Sequence, residues 1–293
     1  MATLLCFGFG YCAEYFSAAF GESFDGTIGT VRGKERAAIL SAYAGGPRAL
    51  LFDGAAVSPE LKGAIAQTHF VLVSAPPGDS GDPVLAACRA DLAAAQDLRA
   101  VVYLSTIGVY GDRDGAWVDE QSLAMPVSPR GNARLAAEQA WQDFGAQHGV
   151  AVAILRLAGI YGPGQNALVQ IARSNARRVV KPGQIFNRIH VADIAQAIDA
   201  AFAQEASGIY NIADDEPSPP SDPLAFAAEL MGVAPPPEIP FAEAAVSMSP
   251  IALSFWQECR RVRNDKLKRE LGVALRYPTY REGLRALWEE GRQ

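Results

Sequence analysis

A chain of 293 residues with a formal net charge of −6 is long enough to bury a sizeable core, as one large domain or two modest ones, and exerts no long-range attraction on nucleic acid or anionic lipid. Its hydrophobic residues make up 49% but are spread over short runs, none reaching the roughly 18–20 apolar residues of a membrane span, so a soluble protein with no nucleic-acid or membrane partner is expected. The four cysteines, Cys6, Cys12, Cys88 and Cys259, form no CxxC pair and keep no regular spacing with histidine, which argues against a metal site or disulfide framework and for free thiols in a reducing compartment.

The opening segment, Met1–Gly10, is apolar without a basic region and reads as a mature cytoplasmic N-terminus rather than a secretory signal. Strands are expected at Thr3–Gly8, Thr27–Arg32, Arg48–Asp53, Phe70–Ser74, Ala100–Ser105 and Val150–Leu157. Helical stretches fall between them, at Glu14–Phe20, Glu35–Ala44, Ser58–Gln67, Pro83–Leu98 and Asn132–His148. This alternation is that of successive βαβ units, and six such runs suit an α/β fold with a doubly wound parallel sheet. Beyond Pro163 the rhythm breaks. The proline runs within Glu216–Pro240 predict loops around one short helix at Leu224–Met231, with further helices at Asn264–Leu271 and Tyr280–Arg292. The expected organisation is a sheet domain over residues 1–163, to which 188–213 return, and a smaller C-terminal substrate lobe from 164–187 and 214–293.

The first strand runs into Gly8-Phe9-Gly10-Tyr11-Cys12-Ala13, a G-x-G-x-x-A pattern at a strand-to-helix junction. One glycine permits the tight turn, the second lets backbone approach a pyrophosphate, and the helix N-terminus offers free N–H groups to an anion. In this context the pattern predicts a Rossmann-type dinucleotide site at Gly8, Phe9, Gly10, Tyr11 and Cys12. The second strand ends Thr30-Val31-Arg32-Gly33-Lys34, with no acid for a free ribose 2′-hydroxyl. Arg32 and Lys34 suit a 2′-phosphate, so NADP(H) is favoured over NAD(H); a solvated turn is the competing reading. Asp53, ending the third strand, is placed to accept from the adenine amino group or merely to cap its loop. Ala75 and Pro76, after the fourth strand, are expected to pass beside the cofactor.

Five later runs carry a resemblance: Leu104–Gly111 (LSTIGVYG), Leu155–Gly164 (LRLAGIYGPG), Arg188–Asp193 (RIHVAD), Gly208–Ala213 (GIYNIA) and Asp265–Gly272 (DKLKRELG). With them the whole chain resembles the extended branch of the short-chain dehydrogenase/reductase superfamily, the NAD-dependent epimerase/dehydratase group. The resemblance implies a Rossmann domain, a C-terminal substrate lobe and a homodimer through a helix bundle. It also implies a catalytic Tyr-x-x-x-Lys pair, which this chain lacks: Ser128–Glu138 reads SPRGNARLAAE, placing Arg130 and Arg134 at the tyrosine and lysine positions. An arginine, with a pKa above about 12, does not release its proton usefully at neutral pH. Arg134 keeps the capacity to donate hydrogen bonds to the nicotinamide ribose. Gly159 and Ser74-Ala75-Pro76-Pro77 replace polar family positions and count against a nucleotide-sugar substrate.

The remaining candidates are Thr106, to polarise a substrate carbonyl or to satisfy its own strand end; Tyr110 and Tyr161, phenols past the fifth and sixth strands; and Arg188 and His190, as substrate contacts. For Tyr110, Tyr161 and His190 a packing role is the plainer alternative. Two functions compete. One is an oxidoreductase or epimerase-like enzyme on a small, possibly anionic substrate, with Thr106, Arg130 and Arg134 stabilising developing charge. The other is a catalytically silent NADP(H)-binding sensor.

Overall fold

The computed structural model describes residues 2–42, 46–78 and 80–291. The ends of two expected helices, at Tyr43–Ala44 and Arg292, lie outside the described residues, as do the outermost limits of the expected organisation, 1 and 293. Strand and helix alternate through β1 (Thr3–Phe7), α1 (Tyr11–Phe20), β2 (Gly26–Val31), α2 (Lys34–Ser41), β3 (Arg48–Leu51), α3 (Pro59–Ala66), β4 (Phe70–Val73), α4 (Pro83–Ala94), β5 (Ala100–Thr106), β6 (Trp117–Val118), α5 (Pro129–His148) and β7 (Ala151–Leu157). There follow β8 (Gly159–Tyr161), α6 (Ala167–Ala172), β9 (Arg178–Val180), β10 (Arg188–His190), α7 (Val191–Ala203), β11 (Gly208–Ile212), α8 (Asp222–Met231) and β12 (Glu238–Pro240). The last elements are α9 (Phe241–Ala245), α10 (Pro250–Trp256), β13 (Arg261–Val262), α11 (Asp265–Glu270) and α12 (Tyr280–Glu290).

Seven parallel strands form one sheet in the order β11-β7-β5-β4-β1-β2-β3, one strand more than the six runs picked out by periodicity. The strands read as near-continuous apolar runs because both faces are covered. Leu4, Cys6, Leu72, Val102 and Leu155 point to the side holding α1 and α7, and Leu5, Phe7, Val71, Val101 and Tyr103 to the side where α5 supplies Trp141 and Phe144. The sheet is thus a doubly wound Rossmann-type sheet. Strand order reverses beside β1, which pairs with both β2 and β4, and in open α/β sheets the ligand crevice lies outside the strand ends at such a point.

Three crossover helices start alike, with a capping side chain followed by proline. Ser58 Oγ accepts from Leu61 N (3.2 Å), Asp82 Oδ1 from Val84 N and Leu85 N, and Ser128 Oγ from Gly131 N (3.1 Å). The cap at Ser128 starts α5 at Pro129, earlier than the expected Asn132, and so puts Arg130 in its first turn. Helix α4 stops at Ala94, short of Leu98, because Ala95 turns to ψ 102°.

The later segments hold more regular structure than the proline runs suggested. Within the expected loop region, Glu238–Pro240 forms β12 and pairs in parallel with β9, with Pro240 at the strand end where a missing N–H is tolerated. Helix α8 packs on α6 and α12 through Leu224, Phe226, Leu168, Tyr280 and Leu284. All four cysteines are free, Cys259 being the one that is only half-buried. No helix among the described residues is long and apolar enough to cross a membrane.

Candidate functional site

The turn after β1 is fixed from both sides. Phe7 O accepts from Ser74 N (2.8 Å) and Ala75 N (2.9 Å), while Gly8 N donates to Thr30 Oγ1 (3.0 Å) and Phe9 N to Thr30 O (2.8 Å). Gly8 has φ +85°, and a Cβ there would stand 2.7 Å from Ala75 N, so both conformation and space demand glycine. At Gly10, by contrast, a Cβ would meet nothing within 4 Å. No side chain caps the helix that begins there, so the first N–H groups of α1 face open space with the positive end of the helix dipole. This is a cradle for an anion.

The other expected cofactor residues divide into two sets. Arg32 and Lys34 are exposed at the end of β2 and the start of α2, and Asp53 is exposed with its carboxylate accepting from Ala55 N (3.0 Å), a bond that holds it below the usual carboxylate range. Ala75 is half-buried against the glycine turn and Pro76 exposed beyond it. Phe9 and Thr30, however, are buried: Phe9 presses on Gly29, and the Thr30 hydroxyl braces the turn from beneath. Their place is support of the turn, which corrects the expectation of direct contact. Tyr11 donates to Pro163 O (3.0 Å), tying α1 to the loop after β8.

A cleft of about 770 Å³ runs from the start of α1 into the later segments and brings together Cys12, Thr106, Arg130, Arg134, Tyr161 and Arg188. Thr106 Oγ1 accepts from Gly108 N (3.1 Å), which leaves its own hydrogen to donate into the cleft. Arg130 is exposed at the rim. Arg134 is buried, and its Nη1 donates to Tyr103 Oη (3.0 Å) and Leu104 O (2.8 Å), so part of its donor fork is spent on β5. Beside it Ser105 donates to Glu138, whose carboxylate is gripped by Arg156 (Nη2 to Oε2, 2.7 Å), all three being buried.

Two sequence candidates lie apart from the cleft lining. Tyr110 is fully buried; its hydroxyl donates to Asn211 Oδ1 (2.7 Å) and Arg156 stacks 4.7 Å over its ring. His190 caps α7 through Nδ1, which accepts from Ala192 N (3.1 Å), and its ring packs between Tyr161 and Tyr277. Burial, reinforced by Arg276, lowers the His190 pKa to about 4, so the ring is neutral at pH 7. Both side chains are packing groups here, which corrects their candidacy as acid and as substrate contact. Tyr161 does line the cleft, yet its hydroxyl donates to Thr279 O (3.3 Å) and burial pushes the phenol far up.

Sequence reasoning missed Arg177, Arg260, Glu258, Trp256 and Tyr280 in the cleft wall. Apart from Tyr280, which opens an expected helix, they sit in segments without a motif or sustained period, and only the tertiary arrangement gathers them. With them the lining holds five arginines (Arg130, Arg134, Arg177, Arg188, Arg260) against one carboxylate, Glu258, which Arg260 already pairs at 2.7 Å. The cleft is therefore cationic within an acidic protein.

Residues 82–213 match the family model described as NAD dependent epimerase/dehydratase family. A structure of a functionally unknown conserved protein from Silicibacter pomeroyi DSS is 44% identical, with 100% of both chains covered and a TM-score of 0.88. The 3-diazoavenalumate denitrifying reductase of a Streptomyces species is 29% identical over 137 residues, 45% of each chain. The chain spans about half or less of the length of the curated relatives it matches. A UDP-glucuronic acid 4-epimerase from Bacillus cereus, solved in complex with NAD, shares the fold at a TM-score of 0.74 and 17% identity, over 98% of this chain and 97% of that one. With sheet order, glycine turn and matched segment in agreement, residues 82–213 form an NAD-dependent epimerase/dehydratase family domain, and the whole chain shares its fold with solved epimerases of the same sheet architecture.

Proposed function

We propose that the protein is an NADP(H)-dependent oxidoreductase or epimerase-like enzyme acting on a small anionic substrate. The observation that carries this reading is the single cleft in which the uncapped start of α1 meets Thr106 and a wall of five arginines opposed by one paired acid. The Gly8–Gly10 cradle fits the pyrophosphate of a dinucleotide, and Arg32 with Lys34 fits a 2′-phosphate. When bound, the dinucleotide would supply or accept hydride at its nicotinamide. Around that position Thr106 donates a hydrogen bond to the reacting oxygen and Arg130 stabilises negative charge developing on it.

Neither thiol nor phenol in the cleft is tuned to release a proton at neutral pH. Burial pushes the Cys12 thiol up to about 11 and the Tyr280 phenol up to about 12, and Tyr161 further still. The proton therefore comes from water or from the substrate itself. A second reading, a silent NADP(H) sensor, draws on Arg134, whose donors to β5 are unavailable to a ribose.

Calorimetric titration with NADPH and NADH tests the cofactor assignment. Arg32→Asp should weaken NADPH binding tenfold or more, on the order of a lost charge-assisted pair, with NADH affected far less. Equal loss of both would remove the 2′-phosphate role. Turnover separates the two readings: NADPH oxidation with small anionic carbonyl compounds supports the enzyme, and tight binding without oxidation across such a set supports the sensor.

A further inference from the structure

We propose that the far end of the cleft is a carboxylate pocket, in which Tyr280 and Arg188 together hold the acid group of a small monocarboxylate whose body extends toward Thr106; this rests on the reading of the cleft as a substrate site.

Tyr280 opens α12, but the helix end itself is already satisfied by the capping box of Thr279 and Glu282. What is unsatisfied is the side chain. Tyr280 is 1% exposed, lines the cleft, and its hydroxyl has no hydrogen-bond partner among the described residues. Leaving a buried hydroxyl unpaired is costly, and an acceptor brought against it relieves that cost. The helix is held in this position by its seat on β8: at Gly283 a Cβ would lie 2.2 Å from Tyr161 Oη, so only glycine lets α12 approach.

Arg188 stands over the Tyr280 ring, its guanidinium carbon 5.6 Å from the ring centre, and both side chains line the cleft. Nη1 donates to Ser218 Oγ (2.8 Å) and Phe186 O (3.2 Å), and Nη2 to Pro219 O (3.3 Å). Of the five guanidinium hydrogens this leaves Nε–H and one on Nη2. Tyr280 and Arg188 thus offer one phenol O–H and two N–H groups to an acceptor. The pocket walls are apolar, from Pro223, Leu224 and Leu284. Three donors and one cation suit the two oxygens and single charge of a carboxylate.

The test uses benzoate and its neutral isostere benzamide as probes, titrated by calorimetry into the full chain loaded with NADPH. Benzoate should bind in the millimolar range and benzamide at least tenfold more weakly. Tyr280→Phe should weaken benzoate about tenfold, the loss expected for one hydrogen bond to a charged group, while leaving NADPH affinity unchanged. The same variant should melt no lower than the natural chain, because it removes an unpaired buried hydroxyl; a residue with a purely structural role would lose stability instead. Equal binding of the two probes, no benzoate binding, or unchanged benzoate affinity in Tyr280→Phe would overturn the pocket. Should NADPH itself fail to bind, the cofactor reading falls, and the two probes compared on the unloaded chain still decide the pocket.

Discussion

Asp214 shows how far burial alone moves a single group. It is 2% exposed, one carboxyl oxygen accepts from Glu216 N (3.2 Å), and the other has no partner among the described residues. Desolvation pushes its pKa up to about 8, against partial relief from the Glu216 amide and from Arg188. Since the folded chain holds this proton more tightly than the unfolded chain, stability from this site is full below about pH 4 and is lost as pH rises toward 8. Asp214→Asn keeps the acceptor for Glu216 and removes the titration. Its melting temperature should therefore exceed that of the natural chain by a margin that widens between about pH 5 and pH 8, and a constant margin would contradict the assignment. Asp214 carries no motif, and nothing in its neighbours along the chain announces that β11 will bury it. Gly8 and Gly10 were legible for the opposite reason: their function is local, set by the turn they make.

At the scale of elements, β5, α5 and β7 are joined by the buried set of Ser105, Glu138 and Arg156. Arg156 also stacks on Tyr110, whose hydroxyl is bound to Asn211 on β11, so four elements share one polar network. Removing one partner of a buried ion pair leaves the other uncompensated, at a cost of about 3–5 kcal/mol. Glu138→Gln should lower the unfolding free energy in urea by that amount, read as a lower midpoint at unchanged slope; a loss below about 1 kcal/mol would mean that Arg156 finds another partner. The strands in this network were readable because parallel strands covered on both faces become plain apolar runs. Helix α5 was readable in its body but not at its start, although Ser128 followed by Pro129 is a cap and first-turn proline in sequence. The three-residue strands β8, β9, β10 and β12 are too short to show any period, and β8 and β10, which line the cleft, were reached only through the resemblance of their runs.

The molecule as a whole is held together by a layer that the chain supplies late. Helix α7 covers α1, and Phe202 meets Phe16, Phe24 and Phe70 at ring distances of 6.0, 6.3 and 5.1 Å. Phe202 is 3% exposed, and replacing a buried phenylalanine with alanine costs about 3–5 kcal/mol. Phe202→Ala should show that loss in equilibrium unfolding, together with weaker NADPH binding, since α1 carries the phosphate cradle; unchanged cofactor affinity would show that the cradle stands without its cover. The fold class was legible from the alternation of the first half, whereas the dependence of α1 on a helix some 180 residues later belongs to tertiary structure alone.

The position of β11 has a consequence for how the polypeptide matures. Its pairing with β7 completes the sheet edge only after the ribosome has delivered more than two-thirds of the chain, and α7 must emerge before α1 is covered. A nascent chain halted after β7 would present the bare aromatic face of α1 to solvent, an exposed apolar surface of the kind that chaperones bind. Folding of the half that carries the glycine turn is thereby coupled to synthesis of the later segments, and a cut after β7 would strip the sheet of its edge strand and α1 of its cover.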